Sequence, residues 1–310
     1  MNSVSVTGKG LVKRYGQTEA LRGLDFTVNQ GEIFGFIGPD GAGKTSLFRI
    51  LTTLLLPDKG SATVAGFDVV KDYRKLRQIL GYMPGKFSLY QDLTVRENLE
   101  FFAGIFKADI KSNYYLIQDI YDQIAPFEKR RAGKLSGGMK QKLALSCALI
   151  HKPEVLILDE PTTGVDAVSR SEFWDMLIRL KKEGITIIVA TPYMDEAVLC
   201  DRIALIQHGQ ILATDTPQKV IAGFRWQLFR VKTSDTLATL KILKANAEVR
   251  SAEMFGAYIH VSAPVGKLDA AKLQTIIGET RPEEVEIAEI EAGIEDCFID
   301  LMRDIPQPIS

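Results

Sequence analysis

Gly38-Pro39-Asp40-Gly41-Ala42-Gly43-Lys44-Thr45 fits GxxxxGK[ST], the pattern of a glycine loop that cradles phosphate. Before it, Glu32-Ile33-Phe34-Gly35-Phe36-Ile37 reads as a buried strand. After it, Ser46-Leu47-Phe48-Arg49-Ile50-Leu51 reads as the first turns of a helix. Strand, glycine loop, helix is the order a triphosphate site needs. The glycines let backbone N–H groups turn inward around the phosphates. The helix N-terminus adds a partial positive charge. Lys44 is suited to neutralise β- and γ-phosphate oxygens, and the Thr45 hydroxyl to bind Mg²⁺. A glycine-rich turn that matched by chance would lack the flanking strand and helix.

Bulk properties limit the alternatives. A chain of 310 residues holds one large domain or two ordinary ones. Lys plus Arg number 38 and Asp plus Glu 39, so charge gives no reason to expect a nucleic-acid partner. No apolar run approaches the ~18 residues a membrane span needs. The opening Met1-Asn2-Ser3-Val4 has no basic stretch followed by an apolar one, so no secretory leader is expected. Cys147, Cys200 and Cys297 are odd in number and far apart. They read as core residues in a reducing compartment, not as a metal motif. His151, His208 and His260 are equally scattered and read as surface or structural residues.

Residues 1–222 alternate apolar runs with helical patterns, which predicts one α/β unit on a largely parallel sheet. Val155–Leu158 and Ile185–Ala190 are its candidate central strands. A helical insert spans about 93–150. Thr94 with Glu97 makes a capping box there, and Leu99, Phe102, Ile105 and Phe106 give the apolar stripe that follows. The pattern changes near Gly223. Residues 226–304 predict strand (226–232), helix (236–243), a hairpin (248–254 and 257–262), helix (268–277) and strand (284–290). That is the β-α-β-β-α-β order of a small ferredoxin-like α+β domain. A short helix, 294–304, follows, and the tail Ile305-Pro306-Gln307-Pro308 is expected to fray.

Two further strings bear on the phosphate loop. Val155-Leu156-Ile157-Leu158-Asp159-Glu160 is a buried strand that delivers two carboxylates to the sheet edge. Asp159 is suited to hold Mg²⁺, directly or through water. Glu160 is suited to orient and deprotonate an attacking water. Leu135-Ser136-Gly137-Gly138-Met139-Lys140-Gln141 has an N-cap serine and two glycines at a helix start, which leaves N–H groups bare for an anion.

Together these strings resemble an ATP-binding-cassette (ABC) ATPase over residues 4–222. GPDGAGKT corresponds to its phosphate loop, LSGGMKQ to its signature, and LILDEP to its metal-and-base strand. Gly164-Val165-Asp166 resembles the loop that crosses to a partner subunit. Tyr15, in Val12-Lys13-Arg14-Tyr15-Gly16, sits where the family stacks an aromatic on adenine; the alternative is a core tyrosine. Ile294–Leu301 resembles the closing helix of type-2 exporter ATPases of the daunorubicin-resistance kind. The resemblance implies ATP and Mg²⁺, and two cassettes, of the same or different chains, facing head to tail. Ser136, Gly137 and Gly138 would then meet the ATP held by the other cassette. It also implies a separate transmembrane permease whose coupling helix docks near residues 87–106. The place would be the cytoplasmic, inner face of the cell membrane. The competing reading is a soluble ABC ATPase acting as a nucleotide switch on ribosomes or another assembly; such proteins usually carry two cassettes in one chain. A binding-competent but inactive regulator is the third.

Two positions depart from the family pattern. Gly85 stands where a Gln is usual, and Pro192 where a switch His is usual. Proline offers neither a side-chain donor nor an N–H. Asp40 replaces the usual Asn and Ala167 the usual Pro. Gly85 and Pro192 serve the ATP on this chain's own loop, whereas Ser136–Gly138 serve the partner's. The expectation is a slow, tight own site, with a homodimer that manages without the His as the alternative.

Overall fold

The structure is a computed structural model that describes residues 3–278 and 285–303. The expectations for the leader at Met1-Asn2, the strand start at Glu284, the helix end at Asp304 and the fraying tail lie outside the described residues. The chain divides into two compact units, Met1–Pro217 and Gln218–Ser310.

The first unit opens with a long antiparallel hairpin, β1 (Val4–Tyr15) and β2 (Thr18–Asn29), turned at Gly16, whose φ is +58°. β3 (Ile33–Ile37), every residue of which is buried, feeds the phosphate loop and α1 (Lys44–Leu51). β4 (Lys59–Val64) and β5 (Phe67–Asp68) complete an antiparallel sheet in the order β2-β1-β4-β5. This antiparallel sheet is additional to the largely parallel one that the sequence pattern predicts. A two-residue turn between β1 and β2 permits only antiparallel pairing, and β2 buries alternate residues as a one-faced sheet does.

α2 (Tyr73–Ile79) leads into β6 (Leu80–Met83). The helical insert follows as α3 (Val95–Phe106), α4 (Ile110–Asn113), α5 (Gln118–Ile124) and α6 (Gly137–Leu149). Thr94 and Glu97 make the expected capping box on α3. Its apolar stripe divides: Val95, Leu99 and Ala103 are buried, but Ile105 is 54% exposed. Phe102, Ile105 and Phe106 instead line a groove of about 650 Å³ with Leu54, Tyr82 and His151.

The chain then returns through β7 (Val155–Asp159), α7 (Ala167–Lys182), β8 (Thr186–Thr191), β9 (Arg202–Gln207) and β10 (Gln210–Asp215). The second sheet has the order β10-β9-β3-β8-β7-β6; β6, β7, β8, β3 and β9 run parallel and β10 antiparallel. β7, β8 and β3 are buried along their whole length, as strands covered on both faces must be. Between the two sheets lies the core of the unit. Phe36 is fully buried and meets Phe26 and Phe48 edge-on, with centroids at 5.1 and 5.8 Å. Phe48 is on α1, so this packing fixes the helix that follows the phosphate loop.

α8 (Pro217–Ala222), with Pro217 as its first residue, starts at the unit boundary, five residues before the boundary read from sequence. The second unit then runs β11 (Gln227–Thr233), α9 (Thr236–Ala245), β12 (Ser251–Phe255), β13 (Tyr258–Ala263), α10 (Ala270–Gly278), β14 (Val285–Ile290) and α11 (Ile294–Arg303). Its antiparallel sheet has the order β12-β13-β11-β14. Phe229, Val231, Ile259 and Val261 face Leu243, Leu273 and Ile277 of α9 and α10 in a core of their own. The three cysteines are free and buried, and burial pushes their thiols up.

Candidate nucleotide site

The glycine loop leaves β3 and enters α1 at Lys44. Two of its glycines answer to space as well as conformation. A Cβ on Gly38 would lie 2.1 Å from the Ile206 carbonyl oxygen. Gly43, at φ +106°, would put one 2.4 Å from that of Ala20. No other residue type fits either position without moving backbone. Ala42 is buried, while Asp40 and Gly41 are exposed. Gly38 N–H donates to the Thr191 carbonyl at the end of β8, at 3.2 Å.

Four side chains, Lys44, Thr45, Asp159 and Glu160, converge here. The Lys44 ammonium donates to the carbonyls of Gly38 (2.6 Å) and Pro39 (2.9 Å) and lies 3.7 Å from Glu160 Oε1. It is 3% exposed. Burial lowers its pKa, and Glu160, Asp40 and Asp159 pull it back up. The Thr45 hydroxyl donates to Asp159 Oδ1 at 3.3 Å. Burial raises the Asp159 pKa, against the hydrogen bond from Thr45. β7 therefore delivers the two acids to the two loop residues that follow the glycines.

The Thr45 hydroxyl and Asp159 carboxylate are two adjacent hard oxygen ligands. They suit Mg²⁺, which takes its remaining ligands from phosphate and water. Among the described residues, no group of three or more His, Cys, Asp and Glu side chains could hold a metal by itself. Tyr15 ends β1, is 46% exposed, and its hydroxyl lies 3.3 Å from Ser46 Oγ. The alternative of a core tyrosine is thereby excluded.

The signature residues form a second group. Ser136 caps α6 by accepting from Met139 N–H at 3.4 Å. Gln141 donates to the Thr163 carbonyl at 3.2 Å, which ties α6 to the loop after the acids. In that loop Asp166 caps α7, accepting from the Ser169 N–H (3.0 Å) and hydroxyl (2.8 Å). These bonds hold its carboxyl below the usual range. Ser136, Gly137 and Asp166 are all exposed. A cavity of about 140 Å³ joins the groups, with Gly137 and Gln141 on one side and Gly85 and Glu160 on the other.

A family model for ABC transporters matches residues 21–163. The daunorubicin resistance ATP-binding protein DrrA2 of Streptomyces coeruleorubidus is 36% identical over 80% of this chain and 79% of its own length. The chain belongs to the ABC transporter ATP-binding family. The probable multidrug ABC transporter ATP-binding protein YbhF of Escherichia coli K12 is 39% identical over 97% of this chain, which spans about half (53%) of that relative's length. Among solved structures, cbiO1 of Clostridium perfringens, part of the ABC transporter complex cbiONQ, has a TM-score of 0.63 at 27% identity. It covers 71% of this chain and 92% of its own.

The two departures of this ABC cassette sit at strand ends beside the phosphate loop. An ideal Cβ on Gly85 would stand 3.7 Å from Glu160 Cβ and 3.0 Å from the Asp159 carbonyl oxygen. Position 85 thus lies against the backbone of Asp159 and the first side-chain carbon of Glu160. Pro192 follows Thr191 directly, where β8 abuts the loop through Gly38. Sequence reading missed two features. Gln141 belongs to the signature string, and its reach to Thr163, 22 residues on, exists only in three dimensions. The groove beside α3 was hidden because helical periodicity does not separate a core stripe from a recessed one.

Proposed function

We propose that this cassette binds ATP with Mg²⁺ on its phosphate loop and hydrolyses it to drive a membrane exporter. The observation that carries the reading is the convergence of Lys44, Thr45, Asp159 and Glu160 on one loop. Lys44 and the loop N–H groups would hold phosphate oxygens, and Tyr15 would stack on adenine beside Ser46. Thr45 and Asp159 would hold Mg²⁺, which when bound screens the phosphate charge. Glu160, its backbone in the left-handed region (φ +51°), would orient the attacking water and take its proton. The exposed Ser136 and Gly137 and the half-buried Gly138, with Asp166, would face the nucleotide of a second cassette. Similarity to a daunorubicin resistance ATP-binding protein supports the exporter role over the ribosomal one. No helix among the described residues is long and apolar enough to cross a membrane, so the permease would be supplied elsewhere. Its docking segment would enter the apolar groove between α3, β6 and α6. The protein would then work at the inner membrane face.

A slow own site is supported by Gly85, which lies beside Glu160 with no side chain, and by Pro192, which follows β8 with neither an N–H nor a side-chain donor. Steady-state ATPase of the purified chain, beside Glu160→Gln and Pro192→His, tests both readings. Turnover that disappears in Glu160→Gln establishes hydrolysis at this site. A rate raised about tenfold or more by Pro192→His establishes the missing donor as its brake. Histidine at 192 is the cleaner variant, because a side chain at 85 starts within 3.0 Å of backbone.

A further inference from the structure

Arg170 lies in the first turns of α7, where its N–H donates to the carbonyl of Asp166, the helix cap, at 2.9 Å. Its guanidinium reaches across to the segment that follows β8. It stacks over Tyr193, 5.1 Å from the ring centroid. It also lies 3.5 Å from Asp195 Oδ2 and 3.9 Å from Glu196 Oε1. Glu196 is 2% exposed, and neither of its carboxylate oxygens has a hydrogen-bond partner. A carboxylate buried in that way needs a compensating charge close by, and Arg170 supplies it. The segment is also tied to the phosphate loop. Tyr193 N–H donates to Thr191 Oγ1 at 3.1 Å, while the Thr191 carbonyl accepts from Gly38.

We propose that Arg170 is a positioning residue that clamps the 192–199 segment to α7. Through it, the Asp166 loop and the phosphate loop move as one body. This inference rests on the hydrolysis reading only for its kinetic consequence. Because Pro192 carries no donor, the backbone around it must be placed by other means, and a guanidinium over the Tyr193 ring with a two-acid anchor does so. Contact made by the exposed Asp166 loop would be transmitted along α7 to the end of β8, beside Glu160, whose N–H donates to Ala190 at 2.9 Å.

The test compares wild type, Arg170→Ala and Arg170→Lys in the full chain. Amide exchange over 193–199 should speed up on the order of tenfold or more in Arg170→Ala, while the core strands β3 and β7 keep their protection. Arg170→Lys should recover part of it, since it keeps charge but loses the fork. Kinetically, kcat should fall about tenfold in Arg170→Ala with nucleotide affinity unchanged. Unchanged exchange over 193–199 overturns the clamp. Equal losses of affinity and kcat make Arg170 a general stability residue and also overturn it. A wild type that binds no nucleotide sinks the hydrolysis reading alone, and the exchange experiment still decides the clamp.

Discussion

The phosphate-loop group and the signature group are built in opposite ways. Lys44 and Asp159 are nearly inaccessible and hydrogen-bonded within the chain, under a core that includes Phe36 and Phe48. Ser136, Gly137 and Asp166 stand exposed at helix starts, with only their caps to hold them. The first arrangement is complete in one chain. The second presents bare N–H groups outward and so is shaped for something outside the chain to complete. The two acids carry the same contrast: burial drives Asp159 up, and backbone hydrogen bonds drive Asp166 down.

The sharpest way to break this contrast is to damage the support of one side alone. Phe36→Ala should cost about 3–5 kcal/mol of stability by leaving a cavity beneath α1. Denaturant unfolding would show it, and a loss below ~1 kcal/mol would mean the loop does not depend on that packing. Lys44→Ala should weaken nucleotide binding by about 10–100-fold, the size of a lost charge-assisted hydrogen bond, with little change in melting temperature. Equilibrium titration with ATP reads it. Ser136→Ala removes a cap and should lower stability by only ~1 kcal/mol. It should leave nucleotide affinity intact and reduce turnover alone, since the first group binds without it. An equal fall in affinity would merge the two groups into one site.

Acidification should separate them with opposite signs. The folded-state pKa of Asp159 is raised, so the cost of burying its charge is present at neutral pH and disappears as pH falls through that raised value. Protonation there would remove the proposed Mg²⁺ ligand. Mg²⁺-dependent nucleotide binding should therefore weaken at a higher pH than an ordinary aspartate would set. Asp166 is depressed, so its cap contributes stability above the unfolded value and loses it as pH falls through the lowered one. Mg²⁺ titrations across pH, beside amide exchange of α7, would show the metal site failing first. Joint failure at one pH would contradict the assignment.

Much of the nucleotide site was legible in the chain because it is local. GPDGAGKT between an apolar strand and a helix needs only neighbouring residues to form its turn, and the same holds for the Thr94–Glu97 box and the Ser136 cap. The second unit's element order was equally readable from periodicity, with its hairpin turned at Gly256. The antiparallel sheet of β1, β2, β4 and β5 was not, because alternation in one strand does not name its partners.

Sequence by itself determined which groups could handle phosphate and metal, since glycine's conformational range, a lysine's charge and a strand's terminal acids are properties of residues in short runs. Tertiary structure alone decided which of them meet. The packing of β7 between β6 and β8 sets Asp159 against Thr45, 114 residues away. The crossing of α7 sets Arg170 against Tyr193 and leaves Glu196 to it. Those contacts follow from sheet order and helix placement, which depend on burying apolar area across the whole unit and have no local code.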